Sequence, residues 1–175
     1  VVYVSHRLSE VLEIADRVTV LRDGRVIETV EAKSVNETAL AGLKVLIVDD
    51  HEDGREVLTH MLSSCNAEVK AASSAAEAFR LLRDWHPEVV VSDISMPDVD
   101  GYSFIRQLRA LDVHRGIPAI AVTAHALAED RERALAAGFQ NHLAKPVQLY
   151  ELIKSIAKVI DPEDDKNDSA EAASE

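Results

Sequence analysis

The sequence predicts an α/β fold, a doubly wound parallel sheet with helices on both faces. Three continuous apolar runs indicate this, Val45 to Val48, Val89 to Ser92 and Ala119 to Val122, because strands buried on both faces of a parallel sheet have this composition. From Leu43 onward, strand-like runs alternate with helical patterns five times, with short connections. Since crossovers between parallel strands are right-handed almost without exception, these repeats predict one open five-stranded sheet.

Each strand and helix can be placed from its own residues. The predicted strands are Lys44 to Val48, Ala67 to Ala71, Val89 to Ser92, Ile117 to Val122 and about Gln140 to Ala144. In four of the helices that follow them, apolar residues recur at the spacing of one helix face. These residues are Val57, Leu58, Met61 and Leu62; Ala78, Phe79, Leu81 and Leu82; Phe104, Ile105 and Leu108; and Leu152, Ile153, Ile156 and Val159.

Caps and stop signals bound the later helices. Ser73-Ser74 can cap the second helix, and His86-Pro87 ends it because proline disfavours helical geometry in the preceding residue. The fourth helix runs from about Leu127 to Ala137, and Gly138 suits the left-handed position at its carboxyl end. The last helix spans Leu149 to Ile160.

Residues 1–42 do not continue this alternation. They predict a strand at Val1 to Ser5, a helix at Leu8 to Ala15, and a hairpin whose strands, Arg17 to Leu21 and Arg25 to Val30, flank Asp23-Gly24. So few residues cannot close a core alone, so the segment is expected to be the end of something larger. The expected organisation is an appendage at 1–35, a linker at 36–42, the α/β domain at 43–160 and a tail at 161–175.

Charge and cysteine content narrow the function classes. The net charge is −12, and half of this excess lies in residues 161–175, which are expected to be a disordered acidic tail. No basic cluster indicates nucleic-acid binding, and no apolar stretch approaches the roughly 18 to 20 residues of a membrane span. A cytoplasmic protein is therefore expected. The single cysteine, Cys65, is predicted to be a buried structural thiol, and His51, His60, His86 and His114 are predicted to be surface residues.

Polar residues follow the strands at the carboxyl edge of the predicted sheet, where such sheets bind their ligands. Asp49-Asp50 follow the first strand, Asp93 the third, Thr123 the fourth and Lys145 the fifth. Three neighbouring carboxylates repel one another unless a cation shares the site, and Mg²⁺ prefers such oxygen ligands. The remaining carboxylate, Asp93, could then accept a phosphoryl group, with the Thr123 hydroxyl and the Lys145 ammonium facing its oxygens.

Taken together, four motifs resemble the receiver domain of two-component response regulators. They are Val45 to Asp50 (VLIVDD), Val91 to Gly101 (VSDISMPDVDG), Val122 to Ala124 (VTA) and Leu143 to Pro146 (LAKP). The separations between Asp50, Asp93, Thr123 and Lys145, which are 43, 30 and 22 residues, also agree with that family. The resemblance covers about residues 43–160.

The resemblance implies a role for each site residue. Asp93 would be the phosphoacceptor, and Mg²⁺ would be held by Asp49, Asp50, Asp93 and the backbone carbonyl of Ser95. Thr123 and Lys145 would contact the phosphoryl group, and the Lys145-Pro146 bond is allowed to be cis. The implied fold is flavodoxin-like, with strand order 2-1-3-4-5. The phosphoryl donor would be a histidine kinase or a histidine phosphotransfer protein.

One position departs from the commonest family pattern. Three residues before the lysine, where the family usually has a tyrosine or phenylalanine switch ring, this chain has His142. The string Gly138 to Val147 (GFQNHLAKPV) is similar to receivers attached to hybrid histidine kinases. Thr123 and His142 are therefore the expected switch residues.

The first 30 residues resemble a different family, the last part of a sugar-type ATP-binding cassette subunit. The similar string is VVYVSHRLSEVLEIADRVTVLRDGRV, in which His6 would be the nucleotide-sensing histidine. No G-x-x-x-x-G-K-[ST] motif occurs in the chain, so ATP hydrolysis by this chain alone is not expected. His6 is interpreted as vestigial, in a remnant, a fusion joint or a part of a longer gene product.

Other interpretations stay open at this point. A hydrolase that forms an aspartyl-phosphate intermediate on a related fold would usually carry a second acid where Ser95 stands. A fragment of an ATPase could complete a partner's nucleotide site, and a non-functional or engineered fusion is a further alternative. Singly, Asp50, Asp93, Thr123 and Lys145 could be caps, turns or surface charges, whereas Asp98 and Asp100 are predicted to be turn and cap residues.

Overall fold

A computed structural model describes residues 17–22, 25–31, 40–124 and 128–161. The strands in these ranges are β1 (Arg17–Arg22), β2 (Arg25–Glu31), β3 (Lys44–Val48), β4 (Glu68–Ala72), β5 (Val89–Asp93), β6 (Ala119–Thr123) and β7 (Asn141–Ala144). The helices are α1 (Glu52–Ser64), α2 (Ala75–Leu82), α3 (Gly101–Ala110), α4 (Ala128–Ala137) and α5 (Leu149–Ile160).

The central sheet has five strands in the order β4-β3-β5-β6-β7, and every neighbouring pair is parallel. This is the predicted 2-1-3-4-5 order of a flavodoxin-like fold, which is confirmed. The order reverses beside β3, so the carboxyl ends of β3 and β5 flank the crevice where ligands bind in sheets of this kind.

The sheet separates two apolar layers. Alternate side chains of a strand point to opposite faces, so Leu46 and Val48 of β3 belong to one layer and Val45 and Ile47 to the other. The first layer contains residues of α2, α3 and α4 around Phe104, whereas the second contains residues of α1 and α5. The continuous apolar runs of the sequence therefore reflect burial on both faces, as predicted.

Local signals place several helix ends. The Ser74 side chain accepts a hydrogen bond from the Glu77 amide at the start of α2, and Asp100 accepts one from the Ser103 amide at 2.6 Å at the start of α3. Gly138 has φ +118° directly after α4, the left-handed conformation predicted for it. The predicted caps at Ser74 and Asp100 and the predicted conformation of Gly138 are therefore confirmed.

Three predictions about individual side chains can be checked against burial. Cys65 is buried, as predicted. Val57 was predicted to face inward from α1, but it is 50% exposed, because the buried stripe of this helix is narrow and centres on Leu58 and Leu62. His114 was predicted to be a surface residue and is only 8% exposed, because it packs beside His86 and lines a groove next to α2 and α3.

The strands β1 and β2 pair antiparallel, with Arg17 opposite Glu31, as the hairpin prediction required. The predicted turn at Asp23-Gly24, the predicted strand and helix before residue 16, His6, residues 36–39 of the linker and the tail from residue 162 lie outside the described residues. Within the described ranges, no helix combines the length and apolar composition needed to cross a membrane.

Candidate functional site

The carboxyl ends of the central strands bring four predicted site residues to one edge. Asp49 directly follows β3, Asp93 ends β5, Thr123 ends β6 and Lys145 directly follows β7. The Lys145 amide donates a hydrogen bond to the carbonyl oxygen of Thr123 at 2.7 Å, which extends the pairing of β6 with β7 to the lysine. Side chains that are far apart in sequence therefore start from adjacent backbone positions.

Lys145 joins two buried carboxylates. Its Nζ donates to Oδ2 of Asp49 at 2.9 Å and to Oδ2 of Asp93 at 2.8 Å. The carboxylate side chains are 1% and 3% exposed, whereas the lysine side chain is 30% exposed. Burial acts to lower the pKa of Lys145, but the hydrogen bonds and negative charges of Asp93 and Asp49 prevail, so this pKa lies above its ordinary value.

Other carboxylate oxygens of the three aspartates have partners other than Lys145. Oδ1 of Asp49 accepts the His51 amide at 2.9 Å, and Oδ1 of Asp93 accepts the Ser95 amide at 3.2 Å. Asp50 is partly exposed, and its Oδ1 lies 3.1 Å from Nδ1 of His51. Each of the three aspartates therefore keeps oxygen lone pairs free for a further ligand.

The backbone closely surrounds the two buried aspartates. A Cβ placed on Gly101 would stand 2.7 Å from Cα of Ile94 and against the backbone oxygen of Asp93. A Cβ on Gly54 would stand 2.9 Å from Oδ2 of Asp49. Such distances leave no room for a larger residue, so both glycines keep this edge compact.

The structure fits a hard divalent cation at this edge. Asp49, Asp50, His51 and Asp93 each offer a ligand atom, and these atoms all lie within 4.8 Å of one another. Carboxylate oxygens are the ligands that Mg²⁺ prefers, and they outnumber the single positive charge of Lys145. The predicted trio of Asp49, Asp50 and Asp93 is thus brought together.

For the other predicted residues, the structure gives burial, strand position or backbone conformation. Thr123 is 3% exposed at the end of β6. His142 lies in β7 opposite Ala121, and its buried Nε2 has no hydrogen-bond partner among the described residues. The Lys145-Pro146 peptide bond is cis, as the resemblance allowed. The metal role of the Ser95 carbonyl and the switch roles stay predictions.

Two residues at this edge were not singled out from the sequence. Arg55 donates from one guanidinium nitrogen to the carbonyl oxygens of Asp49 at 2.7 Å and Asp50 at 3.0 Å. His51 was interpreted only as a surface residue, although its ring lies beside the acidic cluster. The contact of Arg55 with carbonyl oxygens leaves no residue-type signal in the sequence, whereas the position of His51 directly after Asp50 could have indicated it.

Comparison with known proteins identifies the family. The sequence model of the response regulator receiver domain matches residues 45–157. The chain belongs to this family. The matched range contains every strand of the central sheet except the first residue of β3, together with all of the site residues described above. The family match begins at residue 45, and the resemblance of the first 30 residues to an ATP-binding cassette subunit stays a prediction.

Curated relatives place this receiver domain among both short and long proteins. An uncharacterized 14.6 kDa protein of Leptolyngbya boryana is 44% identical over 117 residues, which are 67% of this chain and 89% of that protein. The sensor histidine kinase RcsC of Escherichia coli K12 is 38% identical over 107 residues, which are 61% of this chain but 11% of the kinase. The chain therefore spans only about a tenth of this kinase.

Solved structures have the same fold. The receiver domain of sensor histidine kinase PA1611 from Pseudomonas aeruginosa PAO1 aligns with a TM-score of 0.63 at 35% identity and covers 69% of this chain and 98% of that one. Its structure has a magnesium ion coordinated in the active-site cleft. The chemotaxis protein CheY4 of Vibrio cholerae aligns with a TM-score of 0.65 at 28% identity, over 68% and 99% of the two chains.

Proposed function

We propose that this receiver domain accepts a phosphoryl group on Asp93 from a phosphohistidine, with Mg²⁺ bound at the acidic edge. The observation that carries this is the pairing of a buried carboxylate with a cation. Asp93 is 3% exposed, and Lys145 holds its Oδ2 at 2.8 Å. The Lys145 ammonium can also face the oxygens of an incoming phosphoryl group, and a carboxylate is an established acceptor of that group.

The residues at this edge would have different roles in the transfer. Asp49, Asp50 and Asp93 would hold the metal, which supplies charge neutralisation for the phosphoryl oxygens when bound. An oxygen of Asp93 would form a bond to phosphorus while the bond from phosphorus to the donor imidazole nitrogen breaks, and the imidazole then takes a proton. Lys145 and the Thr123 hydroxyl would face the transferred oxygens. The chain's contribution is mainly positioning and charge, which is what phosphoryl transfer requires.

We propose an acceptor rather than a hydrolase that turns over. A hydrolase of the aspartyl-phosphate type would need an acid or base two residues after the nucleophile, and Ser95 stands there with its amide bonded to Oδ1 of Asp93. A serine hydroxyl is a poor proton carrier at neutral pH, so we expect one phosphoryl group per chain and slow loss to water.

Two relatives support the choice of phosphoryl donor. RcsC and PA1611 are sensor histidine kinases, so a histidine kinase or a histidine phosphotransfer protein is the partner we propose for this chain. The readout would be a change in a protein-binding surface that involves Thr123 and His142, which lie two register positions apart on the paired strands β6 and β7. The unpartnered Nε2 of His142 is available for a new hydrogen bond in a second state.

Intact mass spectrometry tests the acceptor role. Wild type incubated with acetyl phosphate and Mg²⁺ is expected to gain one phosphoryl group, and Asp93→Asn is expected to gain none. Asp112→Asn is the matched control, because Asp112 is 94% exposed and lies outside the acidic cluster. Chelation of Mg²⁺ should abolish labelling of wild type. Equal labelling of wild type and Asp93→Asn would refute the proposal, as would continued release of phosphate in many turnovers per chain.

A further inference from the structure

His51 is turned toward the acidic edge instead of capping a helix. It occupies the residue before α1, where a side chain often bonds the free amides of the first turn, but it makes no capping hydrogen bond. Its Nδ1 instead lies 3.1 Å from Oδ1 of Asp50 and 3.7 Å from Oδ1 of Asp49. The imidazole is thus beside two carboxylate oxygens, and Lys145 contacts neither of them.

The 3.1 Å distance is close to that between adjacent ligands of a metal ion, and the 3.7 Å distance lies between those of adjacent and opposite ligands. In an octahedral site with bonds of about 2.1 Å, adjacent ligands are ~3.0 Å apart and opposite ligands are ~4.2 Å apart. One ring nitrogen of His51 and one carboxylate oxygen from each of Asp49, Asp50 and Asp93 all lie within 4.8 Å of one another. Because 4.8 Å exceeds the ~4.2 Å between opposite ligands, these atoms must move closer together to share one ion, and the His51 side chain, 69% exposed, has room to do so.

We propose that Nδ1 of His51 is a ligand of the divalent metal at this edge and shifts its preference from Mg²⁺ toward transition ions such as Mn²⁺. Mg²⁺ takes oxygen ligands and keeps its waters, whereas imidazole nitrogen adds affinity for first-row transition ions. A neutral imidazole presents a lone pair at one ring nitrogen, which can replace a metal-bound water. This inference rests on the proposed function, since it requires the metal site of Asp49, Asp50 and Asp93.

The alternative is that His51 only donates a hydrogen bond to the Asp50 carboxylate. Such an outer partner would also affect metal affinity, so affinity alone does not separate the two roles. A bond from nitrogen to a paramagnetic ion does separate them, because it transfers spin density to the ¹⁴N nucleus. The readout must therefore include a magnetic coupling.

Electron paramagnetic resonance with Mn²⁺ as the probe provides both measurements. Free Mn²⁺ is titrated in the presence of the full chain, and pulsed spectra of the bound ion are examined for ¹⁴N modulation. We expect directly bound nitrogen in wild type and none in His51→Ala. The Kd for Mn²⁺ should rise about tenfold in His51→Ala, while the Kd for Mg²⁺, measured by competition, should change by less than about threefold. His60→Ala, a change at an exposed histidine of α1, should behave as wild type.

The outcomes separate this inference from the proposed function. If wild type binds Mn²⁺ and is phosphorylated on Asp93 but shows no nitrogen coupling, the ligand role of His51 is wrong and the acceptor function stands. Equal ratios of Mn²⁺ to Mg²⁺ affinity in wild type and His51→Ala would also overturn it. If wild type binds neither ion and Asp93 is not labelled, both proposals fail.

Discussion

Two basic side chains, Lys145 at the strand ends and His114 beside α3, are both withdrawn from solvent, but their surroundings are opposite. Lys145 donates to the carboxylates of Asp49 and Asp93, and its pKa is raised. His114 packs against the ring of His86 at 5.6 Å between centroids, and its Nδ1 has no hydrogen-bond partner among the described residues. Burial, followed by the charge of His86, lowers the pKa of His114.

The difference shows that burial of a charged group does not by itself indicate a functional site. His114 lines an apolar groove of about 500 Å³ with Phe79, Leu82 and Leu111, where the neutral imidazole acts as a packing group. At the strand ends, the raised pKa of Lys145 keeps a positive charge beside the carboxylates of Asp49 and Asp93. The partner of a buried charge, rather than its depth, distinguishes the two regions.

The largest expected effect on stability comes from adding a side-chain carbon to a glycine in each of these regions. Gly101→Ala at the strand ends should lower the free energy of unfolding by about 3 kcal/mol, because the new Cβ would meet the backbone of Asp93 and Ile94. Gly116→Ala, two residues after His114, should change it by less than about 0.5 kcal/mol, because nothing lies within 4 Å of its Cβ. Urea denaturation of both variants measures the contrast.

The same pair of glycine variants can contradict the claim that the backbone at the strand ends is closely packed. If Gly101→Ala were as stable as Gly116→Ala, the backbone of Asp93 and Ile94 would have accommodated a Cβ for which the structure shows no room. Labelling with acetyl phosphate gives a second readout. It should fall in Gly101→Ala, because the backbone of the phosphoacceptor must shift, and it should be unchanged in Gly116→Ala.

A smaller effect is expected when each basic side chain is replaced by an apolar one. Lys145→Met should lower the free energy of unfolding at neutral pH by about 2 kcal/mol, since Asp49 and Asp93 would lose their positive partner. His114→Leu should leave stability unchanged or raise it by up to about 1 kcal/mol, because no hydrogen bond of Nδ1 is lost. Thermal and urea unfolding compare the two.

Added Mg²⁺ sharpens that comparison. Because the metal would supply the charge that Lys145→Met removes, Mg²⁺ should stabilise this variant more than it stabilises wild type. It should act equally on wild type and His114→Leu. Similar losses of stability in Lys145→Met and His114→Leu, with no response to Mg²⁺, would mean that the partner of the buried charge does not matter.

The fold was predictable because its determinants are local and repeated. The strands β3, β5 and β6 are continuous apolar runs, so both their existence and their burial follow from composition. The predicted ends of the strands and the predicted buried face of α1 were less accurate. The strand predicted from Ile117 begins at Ala119, after Pro118, which has no amide hydrogen for the ladder. Val57 directly precedes Leu58, which belongs to the buried stripe of α1. The helical spacing of apolar residues could not show that this stripe is too narrow to include Val57.

The site was predictable as a set of residue types but not as a set of bonds. Spacing along parallel strands brings Asp93 and Lys145 to one edge, yet which oxygens the lysine contacts depends on coordinates. Arg109 illustrates the same limit, since it donates to the carbonyl oxygens of Gly138 and Ile117, and carbonyls are common to all residues. His114 was taken for a surface residue because it shows no metal-ligand spacing, and no periodic apolar pattern marks its burial.

The smallest expected effect is the pH dependence that His114 adds to stability. Since the folded-state pKa of His114 is lowered, the unfolded chain binds more protons than the folded chain between that pKa and about 6.5. Stability contributed by the neutral imidazole is therefore full above about pH 6.5 and is lost as the pH falls, by at most about 1.4 kcal/mol per pH unit. His114→Leu should flatten the dependence of unfolding free energy on pH in this range.

A matched control isolates the contribution of this one histidine. His60→Leu changes an exposed histidine of α1 and should keep the wild-type slope, because the carboxylates that also titrate in acid are unchanged in both variants. His86→Ala should lie between wild type and His114→Leu, since it removes the like charge but leaves the burial of His114. If the slope of His114→Leu equals that of wild type, the imidazole is not held neutral in the groove. The contrast with Lys145, whose ionised form the fold stabilises, would then rest on the strand ends alone.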